Sequence, residues 1–399
     1  MSPAPGTPRR RPHPGFWTLV FFGVLAVFLY VAVLRFTRGL GATTHLSDRF
    51  PWGLWIGFDI LCGVGLAAGA FTIMAVVHLF NIRRFEPIVR PTVLTGFLGY
   101  LFVVFALLFD LGQPWRIWHA IVFWNPHSVM FEVAWCVMLY TAVLALEFAP
   151  MVLERFGLHR VQRVLHAVNT PLVVLGVLLS TLHQSSLGSL YLIVPEKLHP
   201  LWYSPMLPLL FYVSAIGAGL GMIIVESHLS GRAFGRRLEL DLLEPLGRAM
   251  VVVLAVFGLM RLQLLARSGA LPLAFQPTYE GRMFLLEFGL GVVLPVGLLA
   301  WPRIRNSSAG LVTGASLAVL GFIMHRLNVS VTGLERASGT HYVPTWMEVV
   351  VSVGLVAIGF AAFALAVRFL PVFPVRPSAS AAAAARGSGP GTAAAWGEA

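Results

Sequence analysis

Four ionisable side chains stand inside or at the ends of strongly apolar stretches of this sequence, at comparable depths: Asp59, Asp110, Glu132 and His183. An ionisable group within a lipid-embedded helix costs about 2.5–3.5 kcal/mol on insertion scales, so each one calls for a reason. Lys and Arg can reach water along their long side chains, whereas Asp and Glu are too short to do so. Residues of these types in such places indicate a site.

Proton-coupled redox chemistry on a quinone suits these residue types. Reduction of a quinone consumes electrons and protons at an apolar ring that carries two carbonyl groups. The binding slot has to be apolar and open to lipid, with a few polar groups that hold and transfer protons. Carboxyl and imidazole groups away from water can serve in this way. We therefore predict that the quinone and proton site is formed by Glu132, Asp59, Asp110 and His183.

Further polar residues lie around this predicted site or at the opposite depth. Those at a comparable depth, which we predict to support the site, are Arg326, Glu287, Arg261 and Ser185. Those in the other half of the membrane, which we predict as a proton path, are Glu147, His78, His166 and Glu226. The alternative is that several of them are interfacial groups or structural ion pairs, such as Glu287 with Arg326.

Histidines and cysteines give little indication of a haem or a metal. Axial ligation of haem needs facing histidines at matched depth, and the candidate pairs are His78 with His166 and His183 with His325. Their spacing does not favour ligation over isolated polar contacts. The two cysteines lie inside apolar segments, and no CxxC motif occurs. We therefore predict no metal, haem or iron–sulfur cluster on this chain.

The composition that surrounds these residues is that of a polytopic membrane protein. Of 399 residues, 57% are hydrophobic and 11% are charged, whereas soluble domains carry about 25% charged residues. Apolar runs of about 20 residues, enough to cross a hydrocarbon core of about 30 Å, recur along the chain. The sequence predicts an all-α integral membrane protein with about ten transmembrane helices, at 16–36, 52–80, 91–110, 128–149, 161–183, 205–228, 242–266, 281–301, 308–328 and 345–370.

The predicted helices group into a membrane domain at 16–370, with two four-helix bundles at about 52–183 and 205–328 and flanking helices at 16–36 and 345–370. The fourth and eighth helices open with similar strings, which leaves a parallel duplication open. We expect a cytoplasmic tail at 1–15 and, because residues 371–399 are rich in Pro, Ala, Gly and Ser, a disordered tail there.

Arginine predicts the orientation of the chain. The formal net charge is +11, and 27 of the 28 basic residues are Arg. Seventeen basic residues belong to the tails and the loops on one side, and eight to the other side, where tryptophans gather. By the positive-inside rule both termini are cytoplasmic, in a bacterial inner membrane. Basic residues in short loops between apolar helices also argue against nucleic acid as a partner and for membrane lipid.

Several strings resemble the membrane subunits of the NrfD/polysulfide-reductase family. The first group comprises FPWGLWIGFD (50–59), VRP (89–91) and FDLG (109–112). A second group is closest to the HybB-type membrane subunit of respiratory [NiFe]-hydrogenases: NPHSVMFE (125–132), ALEFAP (145–150), LHQSSLGSL (182–190), HPLW (199–202) and YVPTWME (342–348). The resemblance covers roughly residues 45–375.

This resemblance implies a function. It implies a menaquinone (or other quinone) site near the outer face, no haem, and a periplasmic ferredoxin-like iron–sulfur subunit that delivers electrons from the large and small subunits of a [NiFe]-hydrogenase. Carried over by motif, Glu132 would handle protons near the quinone, and Asp59, Asp110 and His183 would line or feed the site.

Three alternatives remain open at the level of sequence. The chain could serve a molybdopterin reductase that oxidises quinol. It could be a multi-pass solute transporter, although its polar groups gather near one face rather than at the midplane. It could also be a purely structural anchor.

Overall fold

The computed structural model describes residues 15–235 and 240–373. Most of the predicted cytoplasmic tail at 1–15 and of the predicted disordered tail at 371–399 lies outside these residues, so both stay predictions. Arg236 and Arg237, which contribute to the arginine asymmetry, also lie outside them.

Ten helices long and apolar enough to cross a membrane make up most of the described chain, and no strand occurs within it. Helices are expected because no water reaches the backbone inside lipid, so each segment must satisfy its own hydrogen bonds. The all-α prediction is therefore confirmed. The helices are α1 (Phe16–Arg38), α2 (Trp55–Leu79), α3 (Arg83–Asp110), α4 (Val129–Arg155), α5 (Asn169–Ser189), α6 (Leu207–Ala233), α7 (Leu240–Arg267), α8 (Tyr279–Ala300), α9 (Ser308–Ser338) and α10 (Trp346–Phe369).

The ends of the helices differ most from the predicted ends where a helix continues through polar residues or where polar residues form a separate helix. The fifth helix starts at Asn169 rather than near 161, because His159–Ala167 forms a separate amphipathic helix. The ninth helix runs on to Ser338 rather than ending near 328.

Wide turns with π-helical hydrogen bonding interrupt three of the helices that carry predicted site residues. They are found at Trp55–Cys62 and Ala75–Leu79 in α2, at Gly289–Val293 in α8 and at Asn328–Thr332 in α9. Such turns place one extra residue in the helix and are frequent at functional sites. Asp59 lies within the first of them.

The core is centred on α2 and α6, which approach each other closely. A Cβ added to Gly219 of α6 would lie 2.5 Å from the backbone nitrogen of Gly69 in α2, so only glycine fits there. α3 packs against α2, and α4 packs against α3 and α5. α5 contacts both α2 and α6. α7 and α9 pack against α6, and α8 packs against α7 and α9. α1 and α10 pack against each other, and both also contact α3.

Successive helices alternate in direction, which gives the molecule two faces with different side chains. The arginine-rich face carries Arg83, Arg84, Arg155, Arg160, Arg163, Arg232, Arg303 and Arg305, and the tryptophan-rich face carries Trp52, Trp115, Trp118, Trp124, Trp202 and Trp346. α2, α4, α6, α8 and α10 all begin at the tryptophan-rich face. Which face is cytoplasmic remains a prediction.

Candidate functional site

Glu132 lies in the first turn of α4 at the tryptophan-rich face. Ser128 caps this helix, its hydroxyl accepting a hydrogen bond from the Phe131 amide at 3.4 Å. Asp and Glu are favourable in a first turn because the N-terminal end of the helix dipole is positive. The Glu132 side chain is exposed, and its Oε1 accepts a hydrogen bond from the Ser186 hydroxyl of α5 at 2.5 Å. The carboxylate is thus fixed from one side and open on the other.

His183 lies one helical turn from Ser186 and is completely buried. Its Nδ1 is 2.8 Å from the Tyr100 hydroxyl of α3. The Tyr140 ring of α4 meets the Tyr100 ring edge to face, with centroids 4.7 Å apart. The Ser180 hydroxyl lies near both phenols. These contacts place an imidazole and two phenols directly beneath the Glu132–Ser186 pair.

Polar contacts continue along α5 toward the arginine-rich face. Glu147 of α4 packs against Gly176, where an added Cβ would lie 3.3 Å from the Glu147 Oε1. At the start of α5 the Asn169 amide is 3.5 Å from the His78 Nδ1 of α2. Ser186 and Asn169 are 17 residues apart along α5, so these contacts are spread over about 25 Å of helix. We call Ser186, His183, Ser180 and Asn169 with their partners, together with Glu147 beside Gly176, the α5 polar line.

Asp59 and Asp110 lie beside α1 and α10 instead. The Asp59 Oδ2 accepts a hydrogen bond from the Ser352 hydroxyl of α10 at 2.6 Å. Asp110 lies close to Arg35 of α1, which donates to the Phe109 carbonyl at 2.6 Å and so binds the end of α3. Among the described residues no hydrogen bond joins either aspartate to Glu132 or His183. The four predicted residues therefore form two groups rather than one, because equal depth does not make side chains face the same neighbour.

Asp59 lines a membrane-facing crevice of about 420 Å³ between α2, α3, α6 and α10. Glu226 of α6 lies toward its other end, with the Thr95 side chain of α3 within hydrogen-bonding reach. Glu226 is thus separate from the α5 polar line, contrary to the single proton path that the sequence predicts.

Two more predicted residues lie away from the site. The Ser185 hydroxyl donates to the Thr181 carbonyl of its own helix at 2.7 Å, and the neighbouring Ser186 makes the contact with Glu132. His166 is exposed on the short helix His159–Ala167. No hydrogen bond or ring contact within the described ranges pairs His78 with His166, or His183 with His325.

A second buried polar cluster joins α7, α8 and α9. Glu287 accepts hydrogen bonds from Arg261, from the Asn328 amide at 2.7 Å and from the Trp202 indole at 2.8 Å, and its Oε1 lies 2.9 Å from the His325 Nδ1. A cavity of about 20 Å³ adjoins this cluster, which is room for one water molecule.

Arg326 does not pair with Glu287, so the predicted ion pair between them is wrong. Arg326 is fully buried and donates to the Phe211 carbonyl at 3.0 Å and to the Ser214 hydroxyl at 3.1 Å. Its guanidinium also stacks 3.6 Å from the centroid of the Phe211 ring. The positive charge that pairs with Glu287 of α8 is Arg261 of α7, whereas Arg326 lies on α9.

The connection between α3 and α4 exposes large aromatic side chains next to Glu132. We call residues 113–124 the aromatic loop. Trp115 is 68% exposed and Trp124 is 64% exposed. The loop is fastened to α4, because the Trp135 indole donates to the Ala120 carbonyl at 2.9 Å and the Trp124 and Trp135 ring centroids are 4.7 Å apart. An exposed apolar surface of this kind indicates a site for a partner or for membrane.

A model of the family "Polysulphide reductase, NrfD" matches residues 42–337 of this sequence. The chain belongs to the NrfD family. It is 40% identical to a protein of Nitratidesulfovibrio vulgaris Hildenborough over 84% of this chain and 88% of that one. It is 35% identical to the probable Ni/Fe-hydrogenase 2 b-type cytochrome subunit of Escherichia coli K12, over 89% and 92% of the two chains. It is 31% identical to the menaquinone reductase integral membrane subunit of N. vulgaris, over 90% and 91%.

Several residues that build the site in this NrfD chain escape sequence reasoning. Tyr100, Tyr140 and Ser352 carry hydroxyl groups that lipid-embedded helices tolerate singly, so nothing in their spacing marks them. Ser186 is different, because it stands in a polar run, HQSS at 183–186, within an apolar helix. This polar run indicates a functional position in the helix, but it does not tell which of the two serines contacts Glu132. The predicted residue is Ser185, and the structure shows that the contact is made by Ser186, one position further on.

Proposed function

We propose that this NrfD-family chain is the quinone-reactive membrane subunit of a respiratory oxidoreductase complex. In the finer form of the proposal, it passes electrons from a periplasmic [NiFe]-hydrogenase, through a ferredoxin-like iron–sulfur subunit, to menaquinone. The observation that carries this proposal is the exposed Glu132 carboxylate, held by Ser186 one turn above the buried His183–Tyr100 pair. The names of the E. coli and N. vulgaris relatives support the choice of hydrogenase and menaquinone.

Glu132 is the proposed proton donor to the quinone. Its side chain is exposed, and a carboxylic acid within reach of a quinone oxygen can supply the proton that reduction consumes. The Ser186 hydroxyl fixes the carboxylate at 2.5 Å and limits its rotation. His183 lies one helical turn from Ser186 on α5, with Tyr100 of α3 bonded to it, and we propose that this pair returns protons to Glu132.

The α5 polar line is the proposed source of those protons. It brings Glu147 and His78, two residues of the predicted path, to the same helix as His183. Glu226 and His166 lie elsewhere and are not part of it. If the line carries protons, Glu147→Gln will lower hydrogen-driven proton uptake in vesicles, whereas Glu226→Gln will not. Equal uptake in both variants and the unmodified protein would remove this part of the proposal.

The aromatic loop is the proposed docking surface for the iron–sulfur subunit. It lies at the tryptophan-rich face beside Glu132, so a partner seated there would deliver electrons close to the quinone. Orientation follows from this proposal and from the arginine asymmetry: the tryptophan-rich face is periplasmic, and both termini are in the cytoplasm of a bacterium. We further propose that α2–α5 and α6–α9 are two four-helix units, of which the first reacts with quinone.

The described residues do not suit a haem, although the E. coli relative is named a b-type cytochrome subunit. The large crevice has no histidine in its lining. The cavity beside His325 measures only about 20 Å³, and the His183 Nδ1 is engaged by Tyr100. We propose that this chain carries no haem and no iron–sulfur cluster of its own.

A second candidate is favoured by the name of the matching family, polysulphide reductase. In that case the same site would oxidise quinol and the chain would serve a molybdopterin reductase. The residues named above would then accept protons rather than donate them, so the site alone is consistent with either direction.

The decisive experiment compares Glu132→Gln with Glu280→Gln in the assembled complex. Glu280 stands in the first turn of α8 at the same face but outside the site, so it is a matched control. Because general acid catalysis contributes about 100-fold to 10,000-fold, hydrogen-dependent menaquinone reduction in vesicles should fall by at least about 100-fold in Glu132→Gln alone. Hydrogen-dependent reduction of a soluble dye should be unchanged in both. Full menaquinone reduction by the Glu132→Gln variant would refute the role of Glu132. If hydrogen does not drive menaquinone reduction in the unmodified complex, the hydrogenase assignment is refuted.

A further inference from the structure

The crevice between α2, α3, α6 and α10 has the size and the lining of a hydrocarbon-binding site. Its volume of about 420 Å³ falls within the range of about 300–1,000 Å³ found for ligand sites. Glycines stand at three of its walls, Gly63 on α2, Gly99 on α3 and Gly359 on α10. Phenylalanines such as Phe102 and Phe360 are among its apolar lining residues.

The crevice runs along most of the membrane thickness. The contact between Gly69 of α2 and Gly219 of α6 sets a common level for the two helices. Asp59 lies 10 residues from this level toward the tryptophan-rich face, and Glu226 lies 7 residues from it toward the arginine-rich face. At helical rise, the two carboxyl groups are about 25 Å apart along the membrane normal, against a hydrocarbon core of about 30 Å. A long chain, rather than a compact ligand, matches this shape.

Basic side chains stand at the arginine-rich end of the helices that line the crevice. They are Arg232 on α6 and Arg368 on α10, both exposed, and Arg90 on α3, which is already bonded to the Glu154 carboxylate at 2.9 Å and to the Pro371 carbonyl at 2.8 Å. α6 has 27 residues, about 40 Å, so its last turns extend beyond the hydrocarbon core to the level of lipid headgroups. Ser230 and Glu226 line this end of the crevice, at the depth of the glycerol esters. The positive charges of Arg232 and Arg368 are complementary to a phosphate group.

We propose that the crevice binds one acyl chain of a phospholipid whose phosphate lies beside Arg232 and Arg368. The apolar walls take the chain, and the arginines take the headgroup. The tail of a quinone fits less well, because α4 and α5, which carry the Glu132 site, contribute no residue to the lining. Asp59, at the far end, is already bonded to Ser352. The lipid would fill the space between α10 and the rest of the protein.

The test is photolabelling of the purified complex with an anionic phospholipid that carries a diazirine near the end of one acyl chain. Peptides from 222–234 and 355–364 should be labelled in the unmodified protein. Gly359→Leu places a branched side chain in the crevice, and its Cβ would meet Phe102 at an ordinary 3.5 Å, so helix packing is preserved. In the Gly359→Leu variant, labelling of peptides 222–234 and 355–364 should fall to the level found for lipid-exposed peptides elsewhere in the protein. Gly23→Leu on α1, where an added Cβ meets nothing within 4 Å, is the matched control and should label as the unmodified protein does.

The headgroup is tested by the double variant Arg232→Gln with Arg368→Gln, which should lose labelling by the anionic phospholipid. Equal labelling in the Gly359→Leu and unmodified proteins would overturn the proposal. So would a result in which a menaquinone with a photoreactive tail labels the crevice peptides and the phospholipid does not. None of these readouts depends on hydrogen or quinone turnover, so they remain informative whatever the electron donor is.

Discussion

Replacing Glu287 with Gln would remove the negative charge of the second polar cluster while keeping the size of the side chain. Arg261 is only 3% exposed and would remain buried without a counter-charge. The Gln amide also offers a single acceptor oxygen where the carboxylate oxygens receive bonds from Arg261, Asn328 and Trp202. Breaking a buried ion pair by removing one partner costs about 3–5 kcal/mol. We expect the free energy of unfolding to fall by about this amount, since the lost hydrogen bonds belong to the same unit and do not add to it.

The assay can use the two cysteines of the chain. Cys62 and Cys136 are both buried and free, so a thiol-reactive dye will respond only when the helices separate on heating. A loss of about 3–5 kcal/mol should lower the midpoint of this transition by roughly 10 °C. Glu280→Gln is again the control, and its midpoint should fall far less, since a first-turn carboxylate contributes only about 0.3–1 kcal/mol.

A double variant separates charge from packing. Removing Arg261 together with Glu287, as Arg261→Met and Glu287→Gln, deletes both charges, so neither member of the pair is left as an uncompensated buried charge, which is the main cost of breaking such a pair. Its midpoint should therefore lie well above that of Glu287→Gln alone. A Glu287→Gln variant that melts with the unmodified protein, or a double variant that is less stable than the single one, would refute this reasoning.

Three further predictions address other parts of the chain. Tyr100→Phe leaves the His183 Nδ1 without its partner, so menaquinone reduction should slow by about tenfold or more, and an unchanged rate in vesicles would exclude Tyr100 from the proton route. Arg35→Gln loses the buried hydrogen bond to the Phe109 carbonyl and should cost about 1–3 kcal/mol in the thermal assay, with Arg35→Lys between the two. Burial lowers the pKa of His199 in the loop before α6, so the folded state favours the neutral ring. Its stabilising contribution is then present above the ordinary histidine pKa of about 6.5 and is lost as the pH falls below it; in His199→Gln, melting midpoints measured across this range should depend less on pH.

The positions of most helices can be predicted from the sequence, because a membrane-spanning segment needs a run of about 20 apolar residues. The predicted first and tenth spans, 16–36 and 345–370, differ from Phe16–Arg38 and Trp346–Phe369 by no more than two residues. The rule fails where helices leave the hydrocarbon core. α3 begins at Arg83 rather than at 91, because charged residues at headgroup level end an apolar run without ending a helix.

The position of a polar residue within an apolar segment indicates its depth in the membrane, but it does not indicate the direction of its side chain. Helices such as α3 and α5 are apolar on all sides, so no hydrophobic face tells which side of Asp110 or His183 meets protein. That information comes from packing. Depth alone therefore groups Asp59 with Glu132, whereas its partner is Ser352, and suggests Arg326 for Glu287, whereas its counter-charge is Arg261.

One turn of α5 bonds to three different helices: His183 to α3, Gln184 to the Val64 carbonyl of α2, and Ser186 to α4. Inserting or deleting a single residue upstream would rotate this turn by about 100° and exchange all three partners at once. Evolution and engineering can therefore change individual side chains of this helix more easily than its length. Variation in length should be confined to the loops that precede and follow it.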